Sequence, residues 1–167
     1  MTESWRSRAV DGIPDGTILF DGVCVLCSGW VRFVIKRDPA ARFKFLAIQT
    51  AVGRMLAHSL GVDADDPQTN IVVRNGVAYF KSDAAIVVLR ALPGWRWIAG
   101  FRLMPRGLRN FAYDLVARNR YRLFGRRTSC LLPGRETTRH FLAGEPAQGT
   151  ALLSGETSHA TTDQSRG

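Results

Sequence analysis

Hydrophobic positions follow two different spacings in the first part of the chain. Residues 17–20 and 43–48 form short, apolar, β-rich runs that are typical of strands. Over 24–35 and again over 52–60, apolar residues recur at steps of three and four, as on one face of a helix. The pattern therefore predicts the order strand, helix, strand, helix, with Cys24 at or near the first turn of the first helix.

A β-hairpin is predicted in the middle of the chain. Residues 71–74 and 77–80 are again apolar and β-rich, and they flank Asn75-Gly76. This pair suits a two-residue type I′ turn, because both positions of that turn need a positive φ.

Helices are predicted after the hairpin. The first covers 84–92, and a side-chain oxygen of Ser82 or Asp83 is expected to cap its first turn. Two more are expected near 95–104 and 105–118, in a segment rich in Trp, Arg and Leu.

The order of these elements indicates the fold class. A parallel pair of strands joined through a helix, followed by an antiparallel hairpin, gives a mixed sheet. We expect an α/β protein of thioredoxin-like architecture, with a mixed central sheet flanked by helices and a C-terminal helical extension from about residue 95. Residues 1–16 are a lead-in, residues 17–132 the domain, and the polar residues 143–167 a disordered tail.

Composition narrows the class of protein. With 167 residues and 46% hydrophobic content, the chain can bury a single core. It shows no secretory signal and no apolar run that could span a bilayer, so a cytoplasmic protein is expected. Three cysteines do not suit a disulfide-stapled secreted scaffold. In a reducing compartment, a close pair is more often redox-active or metal-binding than structural.

The close pair is Cys24-Val25-Leu26-Cys27, which follows a predicted strand and opens a predicted helix. Unpaired amides and the positive end of the helix dipole favour a thiolate there, so Cys24 is expected to be the more acidic and exposed thiol and the nucleophile. Cys27, one turn deeper, is expected to resolve the mixed disulfide. The alternative is a pair of buried cysteines that act only as small hydrophobic residues.

Asp21, three residues before Cys24, is the third candidate catalytic residue. Its carboxylate can take the proton of the resolving thiol, or tune that thiol's acidity by charge repulsion. A turn-forming role for Asp21-Gly22 is an equal alternative.

Several motifs, in this order, resemble the DCC family of thiol-disulfide oxidoreductases. They are Leu19-Phe20-Asp21-Gly22-Val23-Cys24-Val25-Leu26-Cys27 with Val31, Phe33 and Asp38, then Ser82-Asp83-Ala84-Ala85, Tyr113, Asn119-Arg120-Tyr121-Arg122, Gly125 and Cys130. The resemblance covers residues 17–132. It implies a thioredoxin-like fold and protein-disulfide reductase activity, with protein or small-molecule disulfides as substrates and a thiol as electron donor. No cofactor is expected.

One feature of thioredoxins, the cis-proline that faces the dithiol, has no counterpart here. Counting back from the predicted turn places Gln68 or Thr69 at that position, with Pro67 slightly too early. The missing proline leaves room for a metal and puts the mode of substrate docking in question.

A zinc or iron–sulfur module is therefore the alternative function. Its ligands would be Cys24, Cys27, Cys130 and either His58 or His140. It comes second because there is no further Cys-x-x-Cys, and we expect no bound metal. A lone buried cysteine is the favoured interpretation of Cys130, with a third sulfur near the dithiol as the other. His58 is expected to be an ordinary surface or capping residue.

The formal charge of +9 leaves polyanionic partners to be considered. The relevant side chains are Arg102, Arg106, Arg109, Arg118, Arg120, Arg122, Arg126 and Arg127, with Trp95, Trp97 and Tyr121 as candidates for stacking. We expect a solvated cationic face over buried aromatic rings and no nucleic-acid partner, because no nucleic-acid-binding motif is present. The apolar interval 84–104 is compatible with peripheral contact with a membrane surface, but its arginines disfavour insertion.

Overall fold

The computed structural model describes residues 6–126 and 137–142, and it shows a mixed β-sheet with helices packed on both faces. The strands are β1 (Arg8–Ala9), β2 (Thr17–Phe20), β3 (Lys44–Ala47), β4 (Ile71–Arg74) and β5 (Val77–Phe80). The helices are α1 (Val25–Arg37), α2 (Ala51–Ser59), α3 (Lys81–Ala91) and α4 (Arg106–Phe124), with 3-10 helices at Arg96–Leu103 and Thr138–His140.

The strand order of the sheet is β1-β5-β4-β2-β3. β2 and β3 are parallel, whereas β2 with β4, β4 with β5 and β1 with β5 are antiparallel. The α/β class and the mixed sheet predicted from the sequence are confirmed, and the arrangement is consistent with a thioredoxin-like fold. β1 lies in the lead-in, for which the sequence pattern predicted no strand.

Side chains point alternately to the two faces of the sheet, so the hydrophobic core is divided between these faces. Ile18 and Phe20 pack on the face that carries α1 and α3, whereas Leu19 packs on the face that carries α2. β2 is buried on both faces, which is why it reads as a continuous apolar run. The dithiol follows this strand after a short turn, and the strand is paired on both sides within the sheet.

Both edges of the sheet are short or already paired. At one edge, β1 has only two residues. At the other, Phe45 of β3 forms an isolated parallel bridge with Phe141, and the amide of Leu142 donates to the Phe45 carbonyl at 3.1 Å.

The predicted hairpin turn is confirmed, because Asn75 and Gly76 have φ values of 52° and 68°. The predicted cap of the next helix is wrong. α3 begins at Lys81, and its N-cap residue, Phe80, makes no side-chain cap hydrogen bond.

The two residues expected to cap α3 are used to attach α4. The Ser82 hydroxyl donates to the side-chain oxygen of Asn110 at 2.6 Å, and Asp83 forms ion pairs with Arg106 and Arg109. The side-chain oxygens that the sequence pattern assigned to a cap of α3 therefore bind side chains of α4 instead.

The C-terminal extension differs in detail from the prediction. The helix expected near 95–104 is a 3-10 helix, and the helix expected over 105–118 continues as α4 to Phe124. The added turns of α4 carry Arg120 and Tyr121 to the dithiol. No helix in the described residues is both long and apolar enough to cross a membrane.

Candidate active site

The dithiol lies at the N-terminus of α1, where the sequence pattern predicted it. Cys24 is the N-cap residue, and its Sγ accepts a hydrogen bond from the amide of Cys27 at 3.3 Å. The carbonyl of Cys24 accepts from the amide of Ser28 at 3.0 Å, which closes the first turn. Because the sulfur receives an otherwise unpaired helix amide, this position favours its thiolate form.

The two sulfurs differ in exposure, in the opposite sense to the one expected. Cys24 is 0% exposed and Cys27 is 8% exposed. Cys24 forms an isolated antiparallel bridge with Arg126, just after the end of α4. The prediction that Cys24 is the more exposed thiol is therefore wrong, because a distant segment of chain lies against it.

The acidities of the two thiols are widely separated. Hydrogen bonds with the Cys27 side chain and with the Cys27 amide together lower the pKa of Cys24 to about 6, against the effect of burial. The same side-chain hydrogen bond, burial and the charge of Cys24 raise the pKa of Cys27. At neutral pH the pair therefore shares one proton, held on Cys27 beside a thiolate on Cys24.

Asp21 places a buried carboxylate directly after β2. Its Oδ1 accepts hydrogen bonds from the amide of Val23 at 3.1 Å and from Nε2 of Gln49 at 2.9 Å. Oε1 of Gln49 in turn accepts from the amide of Gly22 at 2.9 Å. Asp21 thus accepts the hydrogen bonds of a turn, and its charge raises the pKa of both thiols, while its catalytic role stays a prediction.

The second carboxylate oxygen of Asp21 is held by α4. The Tyr121 hydroxyl donates to Oδ2, and a guanidinium nitrogen of Arg120 lies 3.5 Å from the same atom. Arg120 is 5% exposed and also donates to the Tyr121 hydroxyl at 3.0 Å. Its positive charge lowers the pKa of both thiols, in opposition to Asp21.

The expected solvated cationic face is therefore wrong for part of its arginines. Arg118, Arg122 and Arg126 are exposed, as expected. Arg120 is instead buried in an ion pair with Asp21, and the Tyr121 hydroxyl donates to the same carboxylate. The signal available in the sequence was the family resemblance of the motif 119–122, which does not distinguish these two residues from the exposed Arg122.

A pocket of about 200 Å³ lies beside Cys27, between α1, the loop before β4, and α4. We call it the dithiol pocket. Its walls are Leu26, Cys27, Trp30, Pro67, Gln68, Thr69, Asn70, Val72, Lys81, Ala84, Ala85, Tyr113, Val116, Ala117 and Arg120. Cys27 contributes to this lining and Cys24 does not, so only one of the two cysteines borders the pocket.

The loop before β4 replaces the segment that carries the cis-proline in thioredoxins. Its described residues contain no cis peptide bond. The amide of Asn70 donates to the Tyr113 hydroxyl at 3.1 Å, and Oγ1 of Thr69 accepts from the amide of Lys81 at 2.7 Å. Burial raises the pKa of Tyr113 to about 12, so its hydroxyl stays neutral. Polar groups of this loop are thus bound within the protein.

The described residues do not assemble the alternative metal site, since none of their His, Cys, Asp and Glu side chains form a cluster of three suited to a metal ion. His140 lies near Asp38, the C-cap of α1, whereas Cys24 lies at the other end of this 13-residue helix, roughly 20 Å away. His58 is exposed, as expected. Cys130 lies outside the described residues.

Comparison with known proteins agrees with this site. A family model described as DCC1-like thiol-disulfide oxidoreductase matches residues 18–126. The chain belongs to this family. An uncharacterized protein of Bacillus subtilis, YuxK, is 40% identical over 131 residues, which is 78% of this chain and 96% of that protein. A DCC family protein of Arabidopsis thaliana, At1g52590, chloroplastic, is 38% identical over 117 residues, 69% of this chain and 68% of that protein. No solved structure matches significantly.

The DCC1-like match begins within β2 and ends at Arg126, the residue that bridges to Cys24. It therefore includes the dithiol, Asp21, the loop before β4 and all of α4. The family name indicates thiol–disulfide chemistry, which agrees with the free, closely spaced Cys24 and Cys27.

Proposed function

We propose that this chain is a thiol-disulfide oxidoreductase of the protein-disulfide reductase type, which uses Cys24 and Cys27 to reduce disulfide substrates with electrons from a thiol donor. The observation that carries the proposal is the N-cap position of Cys24, where bonding to Cys27 lowers its pKa to about 6. A thiolate populated at neutral pH is the reactive form of cysteine. Membership of the DCC1-like family supports the same reaction class.

The reaction proceeds in two exchanges. The Cys24 thiolate attacks one sulfur of the substrate disulfide, which forms a mixed disulfide and releases the other sulfur as a thiolate. Cys27 then loses its proton and attacks Sγ of Cys24, which forms the Cys24–Cys27 disulfide and releases the second substrate thiolate. The substrate disulfide gains two electrons, and the protein dithiol loses two.

Asp21 and Arg120 adjust the pKa of the two thiols that take part in these steps. The Asp21 charge raises the pKa of both thiols, and the Arg120 charge lowers it, so their pairing limits the net field at the sulfurs. The buried Asp21 carboxylate is our candidate for the group that accepts the Cys27 proton. Because Cys24 is fully buried and bridged to Arg126, a substrate reaches its sulfur only after this contact opens locally. The free Cys24 and Cys27 also fit a reducing compartment, and we propose that the protein is located in the cytoplasm.

Trapping of mixed disulfides tests the assignment of roles. Cys27→Ser removes the resolving thiol, so incubation with a disulfide substrate should leave the substrate covalently bound to Cys24. Cys24→Ser is the matched control and should trap little, because burial still raises the pKa of the remaining Cys27 thiol. The adducts are counted by mass spectrometry of the intact protein. Preferential trapping by Cys24→Ser would reverse the order of attack, and a wild-type protein that forms no internal disulfide under mild oxidant would refute the function.

A further inference from the structure

The two cysteines of the dithiol have different surroundings. Cys24 is fully buried and pairs with Arg126 in an isolated main-chain bridge, whereas Cys27 lines the dithiol pocket. A thiolate that attacks a disulfide approaches along the line of the two sulfurs, on the side away from the leaving sulfur. A pocket lined by Cys27 and not by Cys24 favours attack on Cys27 in the oxidised protein, with Cys24 as the leaving sulfur.

We propose that the dithiol pocket binds the electron donor, a small, uncharged, apolar dithiol, and that this donor re-reduces the protein by attacking Cys27. The inference rests on the proposed function, because it concerns the return of the Cys24–Cys27 disulfide to the dithiol. It gives the two partners different entrances: substrate disulfides at Cys24, and the donor at Cys27.

The lining of the pocket indicates an apolar occupant. Most of its walls are hydrocarbon or aromatic, contributed by Leu26, Trp30, Val72 and Val116 among others. A volume of about 200 Å³ lies below the roughly 300–1,000 Å³ of pockets that hold drug-sized ligands. The space therefore suits the hydrocarbon part of one small molecule.

The charges around the pocket indicate an uncharged occupant. Two cationic side chains line it, and both are already paired: Lys81 lies 2.7 Å from Asp114, and Arg120 lies 3.5 Å from Asp21. An ionic group that entered this cavity would lose its hydration without gaining an unpaired counter-charge, which is unfavourable.

The loop before β4 argues against a polypeptide donor in the pocket. A bound peptide strand needs main-chain partners, and the Asn70 amide at the pocket wall already donates to Tyr113. Tyr113 belongs to α4, so the C-terminal extension already binds the main-chain amide that a peptide would need.

The proposed re-reduction is balanced in atoms and electrons. One donor thiolate attacks Sγ of Cys27, which forms a mixed disulfide and releases Cys24 as a thiolate. The low pKa of Cys24 makes it a good leaving group. The second donor thiol then attacks the donor sulfur of the mixed disulfide, which closes a cyclic disulfide and releases Cys27, and Cys27 takes up a proton. The donor loses two electrons and the protein gains two.

Dihydrolipoamide, an uncharged dithiol with a hydrocarbon chain, is the probe for this pocket, and dithiothreitol is the hydrophilic comparison. The variant is Ala117→Leu, which places extra volume at the pocket wall, and the control is Ala112→Leu, at an exposed position of the same helix. We expect Ala117→Leu to slow reduction of the oxidised protein by dihydrolipoamide about tenfold relative to dithiothreitol. Ala112→Leu should leave the ratio of the two rates unchanged.

A second measurement does not depend on the variants. Oxidised wild-type protein is treated with benzyl mercaptan, quenched in acid, and the mixed disulfide is located by peptide mass spectrometry. An adduct on Cys27 is expected, and an adduct on Cys24 would overturn the proposal. Equal slowing of both donors by Ala117→Leu, or a preference of the wild type for dihydrolipoate over dihydrolipoamide, would also overturn it. If dithiothreitol fails to reduce a wild-type Cys24–Cys27 disulfide, or none forms, the proposed function itself fails.

Discussion

Arg120 and Asp21 are separated by 99 positions in the sequence, and their charged groups meet at 3.5 Å behind the dithiol. Both side chains are almost completely buried. The two charges shift the thiol pKa values in opposite directions. Since the pair is also buried, it affects both the stability of the fold and the acidity of the thiols.

Replacement of Arg120 tests this link. Arg120→Met leaves the buried Asp21 carboxylate without its cation, and breaking such a pair should lower the free energy of unfolding by roughly 3 kcal/mol. It should also raise the pKa of Cys24, because the Arg120 charge lowers that pKa. Urea denaturation and the pH dependence of thiolate absorbance measure the two effects. Arg122→Met, at an exposed position of the same helix, is the control. Equal losses in both variants would show that the buried pair is unimportant.

Asp21→Asn should move the thiol acidity in the other direction. The amide keeps a side chain of the same shape but removes the negative charge, and that charge raises the pKa of both thiols. The midpoint of thiolate absorbance should therefore fall below the wild-type value of about 6. The exposed Asp11→Asn is the matched control, expected to leave the midpoint in place. A midpoint that rises in Asp21→Asn would contradict the electrostatic role.

The wild-type protein should show a reactive cysteine at mildly acidic pH. Since the pKa of Cys24 is lowered to about 6, its thiolate fraction grows as the pH rises through that value. Alkylation at Cys24 should follow this curve, although burial reduces its absolute rate. Cys27, whose pKa is raised, should stay unmodified over the same range. In denaturant the midpoint should return to about 8.5, the ordinary value for cysteine. Peptide mapping after alkylation measures both residues, and a native midpoint near the denatured one would contradict the N-cap effect.

Tyr113→Phe tests the attachment of the loop before β4. The variant removes the acceptor of the Asn70 amide, and an unsatisfied buried donor costs about 1–3 kcal/mol. Hydrogen exchange at the Asn70 amide should also accelerate. Tyr79→Phe is the control, because the Tyr79 hydroxyl makes no hydrogen bond within the described part of the chain. A Tyr113→Phe protein as stable as Tyr79→Phe would show that this hydrogen bond does not hold the loop.

The parts of the site that depend on neighbouring residues could be predicted from the sequence. A strand, a turn and a helix within about twenty residues place Cys24 at the N-cap, and the acidity of Cys24 follows from local amides. The hairpin at Asn75-Gly76 was predictable for the same reason, since the turn needs positive φ at both positions.

The parts that depend on distant residues could not be predicted. On composition alone, Arg120 in an arginine-rich helix looks like its exposed neighbour Arg122, and only the packing of α4 against the dithiol separates them. The burial of Cys24 follows in the same way from Arg126, which no local pattern connects to it. Local rules therefore place the sulfurs, and long-range packing sets their surroundings.

The closed edges of the sheet restrict how a protein substrate can bind. Within the described strands, one edge ends in the two-residue β1, and the other is already bridged at Phe45 by Phe141. An extended polypeptide that adds to a sheet needs a run of unpaired main-chain groups at an edge strand. The described strands thus offer no long platform of this kind, and we propose that a disulfide-bearing protein presents its disulfide on a protruding loop and binds through side chains.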